Sequence, residues 1–154
     1  MKKHFLLLAV LFVSALSFTS CSSDNDDEVA DETKAFISYK FNNVSYTYDD
    51  PAVATSLNMM IDGMGDGNRR IQLWLPLSVT TGTHAIVNEP SNEDAYGASF
   101  YINDASEFYL HGTSGTINIT VNNDTKMEGT FTFSGTTDDV NYTVSEGSFR
   151  ILKD

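Results

Sequence analysis

Ile117-Asn118-Ile119-Thr120-Val121, then Asn122-Asn123-Asp124-Thr125, then Gly129-Thr130-Phe131-Thr132-Phe133 read as two antiparallel strands around a polar turn. Successive side chains of a strand point to opposite faces, so Ile117, Ile119, Val121, Phe131 and Phe133 share a face that must be buried, and Thr130 and Thr132 face out. Residues 140 to 152 extend the pair to a three-stranded meander. In that last segment the apolar positions are even at Val140, Tyr142 and Val144 but odd at Phe149 and Ile151. One inserted residue near Ser145-Glu146-Gly147 restores the phase. A β-bulge is expected there, with Gly147 in a conformation other residues resist.

The same period of two runs back toward the N-terminus. Ile37, Tyr39 and Phe41 alternate with polar residues, Asn42-Asn43 offers a tight hairpin turn, and Val44, Tyr46 and Tyr48 alternate back. Leu57, Met59 and Ile61 form the next inward set, 62 to 68 a loop, and Ile71, Leu73, Leu75 and Leu77 the set after it. Thr83 to Val87 is a short strand and 88 to 94 a polar loop. Ala98, Phe100 and Ile102, then Phe108 and Leu110, complete the pattern. No window carries a helical period. The reading is a single all-β domain over residues 35–154, with about 8 to 10 short strands in an antiparallel β-sandwich or a flattened up-and-down β-barrel.

Upstream of the domain the chain changes character. Met1-Lys2-Lys3-His4 is a basic start, and Phe5 to Phe18 is apolar apart from Ser14 and Ser17. That length suits a secretory signal and falls short of the roughly 20 apolar residues needed to span a bilayer. Phe18-Thr19-Ser20-Cys21 resembles the lipobox of bacterial lipoproteins, with Phe18 where Leu is usual. The resemblance implies a signal peptide over residues 1–20 and acylation of Cys21, which anchors the protein to the bacterial outer membrane. Cys21 is the only cysteine, so the domain is expected to fold without an intramolecular disulfide. Residues 22 to 34 are acidic and without apolar period, a solvated tether of roughly 20 Å on a flexible-coil estimate. A Cys followed by Ser22, Ser23 and acidic residues resembles the surface-export signal of Bacteroidota lipoproteins.

The domain is similar to the small, functionally uncharacterised β-domain lipoproteins of Bacteroidota. The residues that carry the resemblance are Phe41-Asn42-Asn43-Val44-Ser45-Tyr46, Gly115-Thr116-Ile117-Asn118-Ile119-Thr120, Gly129-Thr130-Phe131-Thr132-Phe133 and Glu146-Gly147-Ser148-Phe149. These are strand and turn signals, and no activity comes with them. The formal net charge is -12, and loss of Lys2 and Lys3 with the signal makes it two units more negative. Such a balance argues against nucleic acid and anionic lipid surfaces as partners, because both require a basic face.

Motifs that would name a reaction are missing. Gly112-Thr113-Ser114-Gly115 lacks the spacing of a nucleophile elbow and reads as a turn. His84 and His111 stand too far apart in sequence to found a metal site by themselves. Asp62, Asp66, Gly67 and Asn68 resemble a calcium loop, but Met64 occupies a ligand position and Leu73 stands where the bidentate Glu belongs. Neither a metal nor a cofactor is therefore expected. Glu89, Glu93 and Asp94 supply carboxylates, all within one polar loop.

The informative residues have the wrong parity. If Ile71, Leu73, Leu75 and Leu77 face the core, Trp74 points away from it, as do Met60, Tyr101 and Tyr109 on their strands, with His111 in phase with Tyr109. An outward indole needs either a cover from its own chain or a partner that stacks on it. Two readings follow. One is a non-catalytic binding or interaction module for a glycan, an apolar ligand or a partner protein. The other is a carboxylate-based glycan hydrolase, which requires two converging carboxyls across a cleft.

Overall fold

The computed structural model describes residues 33–65, 69–87, 92–102 and 108–153. The signal, Cys21, the tether up to residue 32, Asp66, Gly67, Asn68 and Glu89 lie outside the described residues. Eleven strands follow in order: β1 (Phe36–Phe41), β2 (Val44–Asp49), β3 (Ala52–Thr55), β4 (Met59–Met64), β5 (Arg69–Leu75), β6 (Gly82–Ala85), β7 (Gly97–Ile102), β8 (Phe108–His111), β9 (Ser114–Asn122), β10 (Lys126–Thr137) and β11 (Val140–Leu152). They form an antiparallel β-sandwich of two sheets rather than a closed barrel. The first sheet has the order β2-β1-β11-β10-β9-β6 and the second β3-β4-β5-β7-β8. The expected meander is β9-β10-β11, and the first hairpin, β1-β2, zips onto its far edge, Phe41 facing Val144.

Turn chemistry sets the registers. Asn42 and Asn43 have φ of 50° and 61°, as do Asp138 and Asp139 at 52° and 61°, the two-residue turn whose twist matches its flanking strands. Between β9 and β10, Asn123 Oδ1 accepts from the backbone N–H groups of Thr125 at 3.0 Å and Lys126 at 2.9 Å, reinforcing the backbone bond from the Asn123 N–H to the Lys126 carbonyl at 3.1 Å.

The bulge falls where the parity change requires it. The β10-β11 register slips between Phe131 and Phe133, so Phe131 faces Gly147 and Phe133 faces Val144. The left-handed residue, however, is Glu146, at φ 50°, not Gly147. What demands glycine at 147 is space: a Cβ there would lie 2.5 Å from the Phe131 ring and 2.6 Å from its carbonyl oxygen.

Between the sheets lie Ile37, Tyr39, Phe41, Ile117, Ile119, Phe131, Phe133, Val144 and Phe149 from the first, and Ile61, Ile71, Leu73, Leu75, Phe100 and Leu110 from the second. β1 runs across the second sheet rather than along one strand of it. Ile37 lies under Gly63 of β4, the Tyr39 ring is 5.7 Å from Phe100 of β7, and Phe41 is 5.8 Å from Phe108 of β8. Tyr39 is buried with its hydroxyl 3.1 Å from that of Tyr48, and burial first, then this hydrogen bond, pushes its phenol far above the ordinary value. It remains neutral at any physiological pH.

Four expectations about strands need correction. The count is eleven because β3, Ala52–Thr55, is exposed at every position and carries no alternation to read. Leu57 and Leu77 were placed inward, yet they are 64% and 56% exposed, beyond the ends of β4 and β5. Pro76 ends the ladder before Leu77 can enter it. Val44 likewise opens β2 at the sheet edge and is exposed. Finally, only Gly112 and Thr113 turn the chain, since Ser114 and Gly115 already belong to β9.

Candidate functional site

Alternation gives the second sheet an outer face whose composition is unlike that of the first. Cross-strand pairing arranges it in rows. Met60 of β4 stands beside Trp74 of β5, which stands beside Gly97 of β7. The next row is Asp62, Gln72, Ser99 and His111, and the one after it Met64, Arg70, Tyr101 and Tyr109. All five residues singled out for their parity, Met60, Trp74, Tyr101, Tyr109 and His111, thus lie on one face. Tyr101 and Tyr109 meet edge to face at 5.8 Å, and Tyr109 and His111 do so at 4.4 Å.

The face is not flat. β7 carries only Gly97 and Ser99 here, so between the bulky residues of β5 and those of β8 the surface drops into a trough of about 140 Å³. Trp74 is one wall, Tyr109 and His111 the other, and Asn58, Val87, Asn92 and Ala95 close its ends. A Cβ at Gly97 would lie 3.5 Å from the Trp74 Cβ, an ordinary contact, so glycine there keeps the floor low without being forced by its neighbours. Met60 and Tyr101 share the face but do not line the trough. Among the described residues, no Asp, Glu, Lys or Arg lines it.

Beneath and beside the trough runs a polar network that the sequence analysis missed. Asp62 is only 5% exposed, and Arg70 Nε donates to its two carboxylate oxygens at 2.7 and 2.9 Å while Nη2 donates to Oδ2 as well. These hydrogen bonds hold the Arg70 guanidinium above its ordinary pKa despite partial burial. The Gln72 amide is assigned from its neighbours: one end lies 3.2 and 3.1 Å from two Arg70 donors, Nε and Nη2, and must be the oxygen, so the end 3.3 Å from Ser99 Oγ is the nitrogen and donates to it, the reverse of the contact with the amide turned over. Asp62, Arg70, Gln72 and Ser99 hold the same strand parity as Trp74 and His111. That parity is the available signal, applied from the sequence to Met60 and the aromatic residues but not to these four.

The remaining candidates lie elsewhere. His84 stacks on Tyr96, ring centroids 4.0 Å apart and nearly parallel, and its Nε2 lies 2.9 Å from the Thr80 carbonyl, which makes it a packing residue near the single bridge between Ile86 and Tyr96. Glu93 and Asp94 are exposed in the loop before β7. Among the described residues, no group of three or more His, Cys, Asp or Glu side chains is placed to hold a metal ion.

A family model described as a domain of unknown function (DUF6252) matches residues 32–152. No curated protein and no solved structure matches the chain.

Proposed function

This chain belongs to the DUF6252 family, and we propose that it is a non-catalytic binding module, a lipoprotein of a Bacteroidota outer membrane anchored through Cys21, whose ligand is a neutral glycan. The observation that carries the reading is the trough on the second sheet. In a protein of net charge -12 its lining among the described residues carries no Asp, Glu, Lys or Arg, and it combines an indole wall with amide and hydroxyl groups. A sugar ring has an apolar face to lie on Trp74 and a polar rim to meet Asn58, Asn92 and Ser99. A hydrolase of the carboxylate type would need two carboxyls converging on the ligand, whereas the carboxyl of this face, Asp62, is engaged by Arg70.

Trp74 is the only tryptophan, so its emission reports on the trough directly. The purified full chain, titrated with a panel of neutral oligosaccharides, is expected to show saturable changes in emission and protection from acrylamide. Trp74→Ala should abolish binding measured by calorimetry. Emission insensitive to every member of the panel, together with no calorimetric binding, would remove the reading. The anchor has its own test, since Cys21→Ser should release the protein from the membrane fraction and prevent incorporation of labelled fatty acid.

A further inference from the structure

The network beside the trough has a direction. An ionised carboxylate only accepts hydrogen bonds and a guanidinium only donates them. Arg70 therefore gives protons to Asp62, and from the same edge to the oxygen of Gln72. With its oxygen so used, the Gln72 amide turns its nitrogen to Ser99 Oγ. A hydroxyl that accepts from Gln72 keeps its own proton for another partner. Ser99 is 3% exposed and lies on the trough floor, one row from Trp74 and directly opposite His111.

From this polarity we propose that Ser99 presents a fixed hydrogen-bond donor to the trough and that the ligand is an acetamido sugar, its amide carbonyl on Ser99 Oγ and its ring on Trp74. The proposal rests on the binding-module reading given above. A carbonyl oxygen fits this position better than a sugar hydroxyl. A hydroxyl accepting from Ser99 must place a second proton in a trough whose lining is mostly apolar, whereas a carbonyl brings no proton to satisfy. Val87 and Ala95, which line the trough, give the acetamido methyl group an apolar surface to cover. Asp62, Arg70 and Gln72 are positioning residues, acting on the ligand through the direction of one hydroxyl.

The test compares chitotetraose with cellotetraose, which share a β-1,4-linked backbone and differ in the acetamido groups, by calorimetry on the full chain. Chitotetraose is expected to bind at least about tenfold more tightly, the loss of one well-made hydrogen bond and its methyl contact accounting for the difference. Ser99→Ala should bring the two affinities together. Gln72→Glu should do the same without removing an atom from the trough, because a carboxylate only accepts and would turn the Ser99 proton back toward itself. A merely structural role for Gln72 would weaken both ligands alike and leave their ratio intact. Equal affinity of wild type for the two oligomers, or binding of other neutral oligosaccharides without chitotetraose, would overturn the acetamido assignment and leave the module standing. Failure of every neutral oligosaccharide would overturn both.

Discussion

The two sheets expose very different outer faces. On the first, Ser38 faces Ser148 at 3.3 Å between hydroxyls, Ser134 faces Thr143 at 2.8 Å, and Thr83 donates to Asn118 at 3.2 Å. Small hydroxyl and amide side chains repeat along β9, β10 and β11, the polar half of a regular alternation. Besides the exposed Lys40–Glu146 pair, its ionic feature is Glu128, which accepts from Arg150 at 2.5 Å and pairs with Lys126 at 3.0 Å, with Arg150 in turn over the Phe36 ring. On the second, the outward positions carry an indole, two phenols, an imidazole, two thioethers and an ion pair whose carboxylate is buried. Where a face only has to be wetted, small polar residues suffice; large amphipathic ones cost exposed apolar area, and they concentrate around a trough.

Breaking that contrast begins inside. Phe100 of the second sheet is fully buried and touches the rings of Tyr39, Phe41 and Phe108. Phe100→Ala should cost about 4 kcal/mol in urea unfolding, whereas Trp74→Ala, two strands' width of hydrogen bonds untouched, should cost less than about 1.5 kcal/mol and remove binding instead. Comparable losses for both would mean that the outer face is a second core.

At the bulge of the first sheet, Gly147→Val should destabilise by about 3 kcal/mol, because its Cβ meets the Phe131 ring and backbone together. Glu146→Gly should be neutral or stabilising by up to about 1 kcal/mol, since a left-handed φ suits glycine and the Lys40 ion pair it loses is exposed. The reverse order of effects would show that the left-handed residue had been misplaced by one position.

In the second sheet, Asp62→Ala should cost about 2 kcal/mol, less than a fully buried pair because the Arg70 side chain is 39% exposed. The smallest effect belongs to the first sheet's ionic feature. Burial pushes the Glu128 carboxyl up, but hydrogen bonds from Arg150 and Lys126 outweigh it and hold the group below its unfolded value of 4.5. A depressed folded pKa contributes stability that is fully present above 4.5 and is lost as pH falls through the folded value. Glu128→Gln should therefore flatten the acid limb of a stability profile below pH 4.5 and leave its slope near neutrality unchanged.

Most of the architecture could be read from residues with strict alternation. β9, β10 and β11, the Asn42-Asn43 turn and the slip at 145 to 147 followed from a period of two and one interruption of it, whereas the slip of β10 on β9 between Glu128 and Gly129 did not. The choice of sandwich over barrel did not, because it depends on whether edge strands find partners, and β3 and β6 carry no pattern that says so. For the candidate site, parity located Trp74, Tyr109 and His111. It also contained Asp62, Arg70, Gln72 and Ser99, but a strand's polar positions are expected to face water, and nothing along the sequence distinguishes a solvated Asp from one covered by Arg. The depth of the trough, likewise, comes from what Gly97 and Ser99 lack.

The pairing of β1 with β11 has a bearing on how the chain comes to fold. Ser38 and Ser148, in contact across that pair, are separated by 110 residues. Closing so long a loop is entropically costly and slow, and topologies dominated by such pairings fold on the millisecond to second scale. The first hairpin has no neighbour in its sheet until the last strand has been made. An incomplete chain can therefore form local hairpins but not the first sheet, which postpones commitment to the native state until synthesis is over. For an exported chain, which is the address proposed for this one, that delay is an advantage carried by the strand order.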